Sequence, residues 1–127
     1  MGYRSDVGLV LSKHGVSVLQ NRLREADLSE TVKEEVLNLL THADTHYKDE
    51  TTGSEAWIWE SIKWYETVSH YFQDVRFVAD TIRDLPEDEY YFIRIGEDYE
   101  DADVQGSFWD NPFGMSLERR IAITQGQ

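Results

Sequence analysis

The spacing of apolar and polar positions changes several times along the chain, and each change marks the boundary of an element. Residues 6–12 are nearly all apolar, which predicts a buried strand that ends at His14 and Gly15. Residues 90–95 are rich in aromatic and β-branched side chains and run up to Gly96, the densest strand signal in the sequence. We therefore expect these two segments to be core strands.

Helical spacing of apolar residues appears in three other stretches. Ser17, with Gln20 three residues later, has the pattern of a capping box at the start of a first helix. A second helix is predicted over residues 29–43, and a third from about residue 67 to Pro86, which cannot continue a helix. The first two should form a helical hairpin, or one broken helix, that covers one face of a sheet.

The remaining segments alternate with the period of a strand. Residues 55–64 follow a polar connection at 45–54 and predict a strand with one buried side and an aromatic-rich, partly open side. Residues 104–109 predict a short strand, residues 110–114 a turn, and residues 115–124 a last half-buried strand.

The predicted element order is therefore β-αα-β-α-β-β-β. Three late strands joined by short turns imply antiparallel pairing. The sequence predicts a single α+β domain over residues 1–127, with one mostly antiparallel sheet and helices packed on one face.

Charge narrows the range of partners. The 127 residues include 25 acids and 12 lysines and arginines, for a net charge of −13. Such a chain repels nucleic-acid phosphates and anionic lipids, so we expect no direct nucleic-acid binding and no membrane association. No run approaches the roughly 18 apolar residues of a membrane span, and the absence of cysteine excludes thiolate metal sites and cysteine nucleophiles. These features favour a cytoplasmic protein.

Five carboxylates crowd into the seven residues that follow the strand at 90–95. They are Glu97, Asp98, Glu100, Asp101 and Asp103. Crowded carboxylates repel one another, and a cation or a basic partner relieves that repulsion. An EF-hand is excluded because Pro112 would occupy its last ligand position. A docking surface for a basic protein, a divalent-cation site of another kind and a solvated loop beside an edge strand all remain open.

His42 and His46 are four residues apart, so on a continuing helix both imidazoles would face one way, as a metal pair requires. The helical pattern fades at Ala43, and exposed histidines at a helix end are the alternative. No phosphate-binding glycine loop or nucleophile elbow is present, and nothing selects a catalytic carboxylate pair. We predict no catalytic residue.

The aromatic residues are too numerous for one small core, so some of them should be exposed as anchors of a protein interface or of a homodimer. The candidates beside the acidic segment are Trp57, Trp59 and Trp109.

Three segments also carry a resemblance to a known family. They read GYRSDV at residues 2–7, IKWY at residues 62–65 and FIRIGED at residues 92–98. In this order, and with a terminal strand at residues 113–124, they resemble a family of small uncharacterised proteins from tailed bacteriophages and prophages. The resemblance implies a phage or prophage product acting in the bacterial cytoplasm, and it carries over no functional residue.

Two hypotheses follow. The first is a non-enzymatic accessory protein that binds a protein partner, or a second copy of itself, through its acidic and aromatic surface. Its target could then be a host factor, including one whose nucleic-acid ligand it imitates in charge. The second is a small-ligand- or divalent-cation-binding protein, or an enzyme, that uses the carboxylate cluster or the histidine pair.

Overall fold

The computed structural model describes residues 3–25, 27–66, 72–98, 100–117 and 121–123. The strands are β1 (Ser5–Leu11), β2 (Thr45–Lys48), β3 (Glu55–Ile62), β4 (Tyr90–Gly96), β5 (Ala102–Gly106), β6 (Ser116–Leu117) and β7 (Ile121–Ala122). The helices are α1 (Lys13–Glu25), α2 (Glu30–Thr41) and α3 (Gln73–Arg83), with a single 3₁₀ turn at Glu87–Glu89.

Strand β1 lies at the centre of a five-stranded antiparallel sheet with the order β2-β3-β1-β4-β5. Both β3 and β4 pair with it along its length. Because β1 is covered on both faces as well as paired on both edges, Val7, Leu9 and Val10 have no exposed surface. This accounts for its nearly unbroken apolar sequence, and it confirms the predicted α+β class with an antiparallel sheet.

Helices α1, α2 and α3 cover one face of the sheet, as predicted. Val7 and Leu9 of β1 pack in the same core cluster as Val36 of α2 and Val78 of α3. The buried side chains of α3 recur three and four residues apart, which places them on one stripe of the helix. Burial of each aliphatic side chain contributes about 1.5–3 kcal/mol, so this face supplies much of the folding free energy.

The C-terminal segment covers the other face. Phe113 and Met115 pack there against Val10 of β1 and Ile93 of β4. A Cβ atom on Gly8 would come within 2.8 Å of the Met115 sulfur, so the missing side chain at Gly8 lets this segment lie close to the central strand.

The prediction of one long last strand over residues 115–124 is wrong. Strands β6 and β7 pair antiparallel with each other as a separate two-stranded ribbon, with Leu117 opposite Ile121. The alternation of apolar residues is real, but it does not reveal that the segment folds back on itself rather than joining the main sheet.

The first helix begins earlier than predicted. Ser12, and not Ser17, lies at its start, because the Gly15 N–H donates to Ser12 Oγ at 3.1 Å and the Val16 N–H donates to the Ser12 carbonyl at 2.9 Å. In α2, Ser29 caps the first turn by accepting from the Val32 N–H.

Two other boundaries differ from the prediction. The polar connection expected at residues 45–54 contains β2, an edge strand that pairs with β3 from Thr45 opposite Ile58. Its half-buried, polar sequence gives little apolar signal. The predicted start of the third helix falls on residues 67–71, outside the described residues, and α3 is described from Gln73.

The C-terminal segment should be as important for stability as a central element. Phe113 is 4% exposed, so Phe113→Ala should lower the free energy of unfolding by about 3–5 kcal/mol through lost burial and the cavity left behind. Trp109→Ala, at a side chain that is 70% exposed, should change it by no more than about 0.5 kcal/mol. Urea unfolding followed by circular dichroism measures both, and equal values for the two variants would contradict the arrangement.

Candidate functional site

The acidic segment forms the connection between β4 and the edge strand β5. The two strands pair antiparallel, so the segment turns at one end of the sheet. The Gly96 N–H donates to the Asp101 carbonyl at 2.8 Å, and the Asp101 N–H donates to the Asp98 carbonyl at 3.0 Å. The side chains of Glu97, Asp98 and Glu100 are exposed, whereas those of Asp101 and Asp103 are half-buried.

Asp101 is neutralised inside the molecule. Arg94 donates to its two carboxylate oxygens from Nη2 at 2.8 Å and from Nη1 at 3.1 Å, and the Tyr3 hydroxyl donates at 2.6 Å. The Arg94 guanidinium, followed by the Tyr3 hydroxyl, lowers the pKa of Asp101 to about 2. The same contact raises the pKa of Arg94. One of the five predicted binding carboxylates is therefore engaged in holding the fold.

This group, which we call the Tyr3–Arg94–Asp101 clasp, joins the N-terminal segment to the β4–β5 turn. It requires glycine at position 96, because a Cβ there would lie 2.0 Å from Asp101 Oδ2 and 2.2 Å from the Tyr3 hydroxyl oxygen. Tyr3 belongs to the GYRSDV segment, and Arg94 and Gly96 belong to the FIRIGED segment. Two of the three segments that carry the family resemblance are therefore in contact in the structure.

The other four acidic side chains of the segment are exposed to solvent or accept hydrogen bonds from neutral groups. The Arg4 backbone N–H donates to Glu97 Oε2 at 2.5 Å, and Gln105 Nε2 donates to Asp103 Oδ2 at 2.9 Å. Among the described residues, no cationic side chain forms an ion pair with the carboxylates of Glu97, Asp98, Glu100 or Asp103. The exposed carboxylates of Glu97, Asp98 and Glu100 therefore remain available to a cationic partner, whereas Asp103 lies opposite Arg94 and adds to the interactions that raise the pKa of that arginine.

Strand β5 is the outer strand of the sheet at this end of the strand order. Val104 in its middle is 47% exposed, and Trp109, which follows in the next turn, is 70% exposed. The Trp109 N–H donates to the Ser107 carbonyl at 2.8 Å, and Asn111 Nδ2 donates to the Phe108 carbonyl at 2.8 Å, so the turn is internally bonded. We call strand β5, Trp109 and the exposed carboxylates of Glu97, Asp98 and Glu100 the β5 edge.

The other two candidate tryptophans are not on the surface. Trp57 and Trp59 are each 3% exposed and lie in the core beneath the helices. The Trp59 indole N–H donates to the Leu39 carbonyl at 2.8 Å. Their alternation in sequence correctly places both on one side of β3. The prediction that this aromatic side is partly open is wrong, because residues 55–59 are buried on both faces of the sheet, so neither tryptophan can anchor a protein partner.

The two candidate histidines do not share a helix face. Helix α2 ends at Thr41 with His42 as its C-cap, and His46 lies in β2. His46 Nε2 lies 2.8 Å from Glu55 Oε1, and its ring stacks on Trp57 with centroids 5.0 Å apart. Within the described ranges, no group of three or more histidine, aspartate or glutamate side chains could hold a metal ion.

Sequence reasoning missed a cleft on the helix side of the sheet. It lies between α1, α2 and the edge formed by β2 and β3, and its volume is about 260 Å³. Its walls are mainly aliphatic, with Trp57, His46 and Glu55 from the sheet. The apolar faces of α1 and α2 were visible in the sequence, but the gap between the two helices depends on how they pack on α3.

No protein-family model matches this chain, and neither a curated protein nor a solved structure matches it. Among the described residues, no helix is long and apolar enough to cross a membrane. The resemblance to phage and prophage proteins therefore stays a prediction, and a function can be inferred only from the geometry of the described residues.

The clasp makes stability depend on pH in a defined direction. Because the pKa of Asp101 in the folded protein is about 2, against an ordinary value of 3.8, its contribution is complete above the ordinary value and is lost as the pH falls toward 2. Asp101→Asn should lower the urea midpoint at pH 7, and the gap from the unmutated protein should narrow progressively as the pH falls from about 5 to about 2.

Asp98→Asn is the matched control, since it removes an exposed carboxylate from the same turn. A gap for Asp101→Asn that stays constant with pH, or one that Asp98→Asn reproduces, would count against the clasp.

Proposed function

We propose that this protein is a non-enzymatic binding protein whose β5 edge docks an extended, basic segment of a protein partner. The observation that carries the proposal is the coincidence of three features at one place. These are a strand that has a single neighbour among the described strands, the exposed apolar side chains of Val104 and Trp109, and the carboxylates of Glu97, Asp98 and Glu100, which form no ion pair among the described residues.

An outer strand presents a row of backbone donors and acceptors that a partner's strand can pair with. Such pairing supplies affinity through the main chain, and neighbouring side chains supply specificity. Val104 and Trp109 offer the apolar contact that a docked segment would cover, and tryptophan is among the residues that most often dominate binding energy.

The charge of the edge selects the partner. Two copies of β5 paired edge to edge would bring Asp103 and the turn carboxylates of both copies close together, and like charges opposed across strands are destabilising. A segment rich in lysine or arginine meets the same carboxylates favourably. We therefore favour a basic partner over the homo-oligomer that the aromatic content also suggested.

The net charge of −13 acts beyond the contact itself. A field of one sign steers an oppositely charged partner and raises its association rate, and salt weakens that effect. If the resemblance to phage and prophage proteins holds, the partner is a basic protein of the bacterial cytoplasm. A host factor that normally binds nucleic acid has the required charge.

The alternative of a cation site or an enzyme at residues 97–103 has less support. Asp101 is occupied by Arg94 and Tyr3. Glu97 lines a cavity of about 250 Å³ together with Arg4 and Asp6, but no group of three or more histidine, aspartate or glutamate side chains among the described residues could hold a metal ion. The small-ligand alternative is supported by the cleft that Trp57 lines at the opposite edge of the sheet.

Differential capture tests the β5 edge. The unmutated protein, Trp109→Ala and Val104→Lys are each immobilised and exposed to a bacterial lysate, and bound proteins are quantified by mass spectrometry. Thr45→Lys is the matched control, because it places the same charge on the other edge strand, β2. We expect a basic protein that the unmutated protein and Thr45→Lys retain, that both β5 variants lose, and that salt releases.

The purified partner then gives two quantitative results. Trp109→Ala should weaken its affinity at least tenfold. The amides of β5 should exchange more slowly with solvent in the complex than in the free protein. Capture that is the same for all four proteins, or a complex that leaves β5 exchange unchanged, would refute docking at this edge.

A further inference from the structure

The cleft between α1 and α2 lies at the opposite edge of the sheet from β5, so it is independent of the proposed partner site. Its aliphatic lining comes from both helices and consists of Val16, Leu19, Leu23, Leu37 and Leu40. At about 260 Å³ it lies just below the roughly 300–1,000 Å³ of typical ligand pockets. It has room for a small molecule and not for a folded segment.

Trp57 forms part of the cleft wall and carries the one unsatisfied buried side-chain polar atom among the described residues. Its indole N–H has no acceptor, although the side chain is 3% exposed. The other two buried tryptophans are satisfied, since Trp59 donates to Leu39 and Trp64 donates to Glu66. Buried donors are nearly always bonded, so an exception that lines a cleft points to a missing acceptor.

The polar groups of the cleft limit the charge of an occupant. Glu55 lines it with a side chain that is 12% exposed, and its carboxylate pairs with His46. A second carboxylate or a phosphate beside Glu55 would be repelled, in a chain that is already strongly acidic. A cation would have to compete with His46 for the same carboxylate. A neutral occupant avoids both costs.

Several side chains that line the cleft are partly exposed to solvent. Leu37 is 51% exposed, and the His46 side chain is 40% exposed. The Trp57 indole nitrogen is itself buried, so a ligand reaches it when neighbouring side chains of the cleft rearrange.

We propose that this cleft binds a small, neutral, largely apolar ring compound that carries a hydrogen-bond acceptor. The aliphatic walls contact its rings, and its acceptor receives a hydrogen bond from the Trp57 indole N–H. The proposal goes beyond the partner docking at β5 and does not depend on it.

Nuclear magnetic resonance of the indole N–H groups reads the site directly. The chain has four tryptophans, and Trp57→Phe identifies the signal of Trp57. Coumarin is the probe, because it is neutral, bicyclic and carries a carbonyl acceptor. Naphthalene has the rings without the acceptor, and 2-naphthoate has the rings with a negative charge.

We expect coumarin to move the Trp57 signal in a saturable way and to bind between about twofold and tenfold more tightly than naphthalene, the value of one hydrogen bond. We expect 2-naphthoate not to bind. Trp57→Phe should bind coumarin and naphthalene with equal affinity.

Leu37→Trp should obstruct the cleft that Leu37 lines and abolish the shift of the Trp57 signal with coumarin. The fold should stay intact because the position is exposed. Leu117→Trp is its matched control, the same change at a leucine that is 39% exposed on the other side of the sheet.

Three results would overturn the proposal. The first is no movement of the Trp57 signal up to the solubility limit of coumarin. The second is equal binding of all three probes, which would describe an unselective apolar patch. The third is movement of the Trp57 signal with protein concentration alone, accompanied by a dimeric mass, which would make the cleft an interface between copies. Each result leaves the capture experiment at β5 unaffected.

Discussion

The whole fold depends on the complete enclosure of β1. This strand is the first element of the chain and the middle of the sheet, so β3 and β4 must return from distant parts of the sequence to satisfy its backbone. Once they do, the helices close one face and the C-terminal segment closes the other. Because a buried strand tolerates neither unpaired backbone groups nor exposed apolar side chains, these contacts form as one cooperative unit.

A sheet with an enclosed centre still has two edges, and this protein treats them differently. The β2 edge is short and borders a cleft under α1 and α2. The β5 edge carries carboxylates, which oppose pairing between identical copies. The charge that disfavours pairing between identical copies is the same charge that the proposed basic partner would contact.

The clasp explains why the acidic segment is not simply a repelling loop. Arg94 reaches out of β4 to Asp101, and Tyr3 closes the contact from the N-terminal segment. The Asp101 carboxylate thereby fixes the turn, while the carboxylates of Glu97, Asp98 and Glu100 remain exposed. The turn is held in place by an ion pair and a hydroxyl, and its outward charge is presented from a defined backbone rather than from a loose tail.

The local pattern alone determined the α+β class, the core strands β1 and β4 and the acidity of the segment after Gly96, because the apolar period and the charge can be read directly from neighbouring residues. It could not reveal that β6 and β7 form a ribbon of their own, that Trp57 and Trp59 face inward, or that His42 and His46 belong to different elements. Those features depend on which distant surfaces meet. The pairing of Tyr3 with Asp101 and the gap between α1 and α2 are likewise tertiary, since each is a distance between segments that no spacing along the chain encodes.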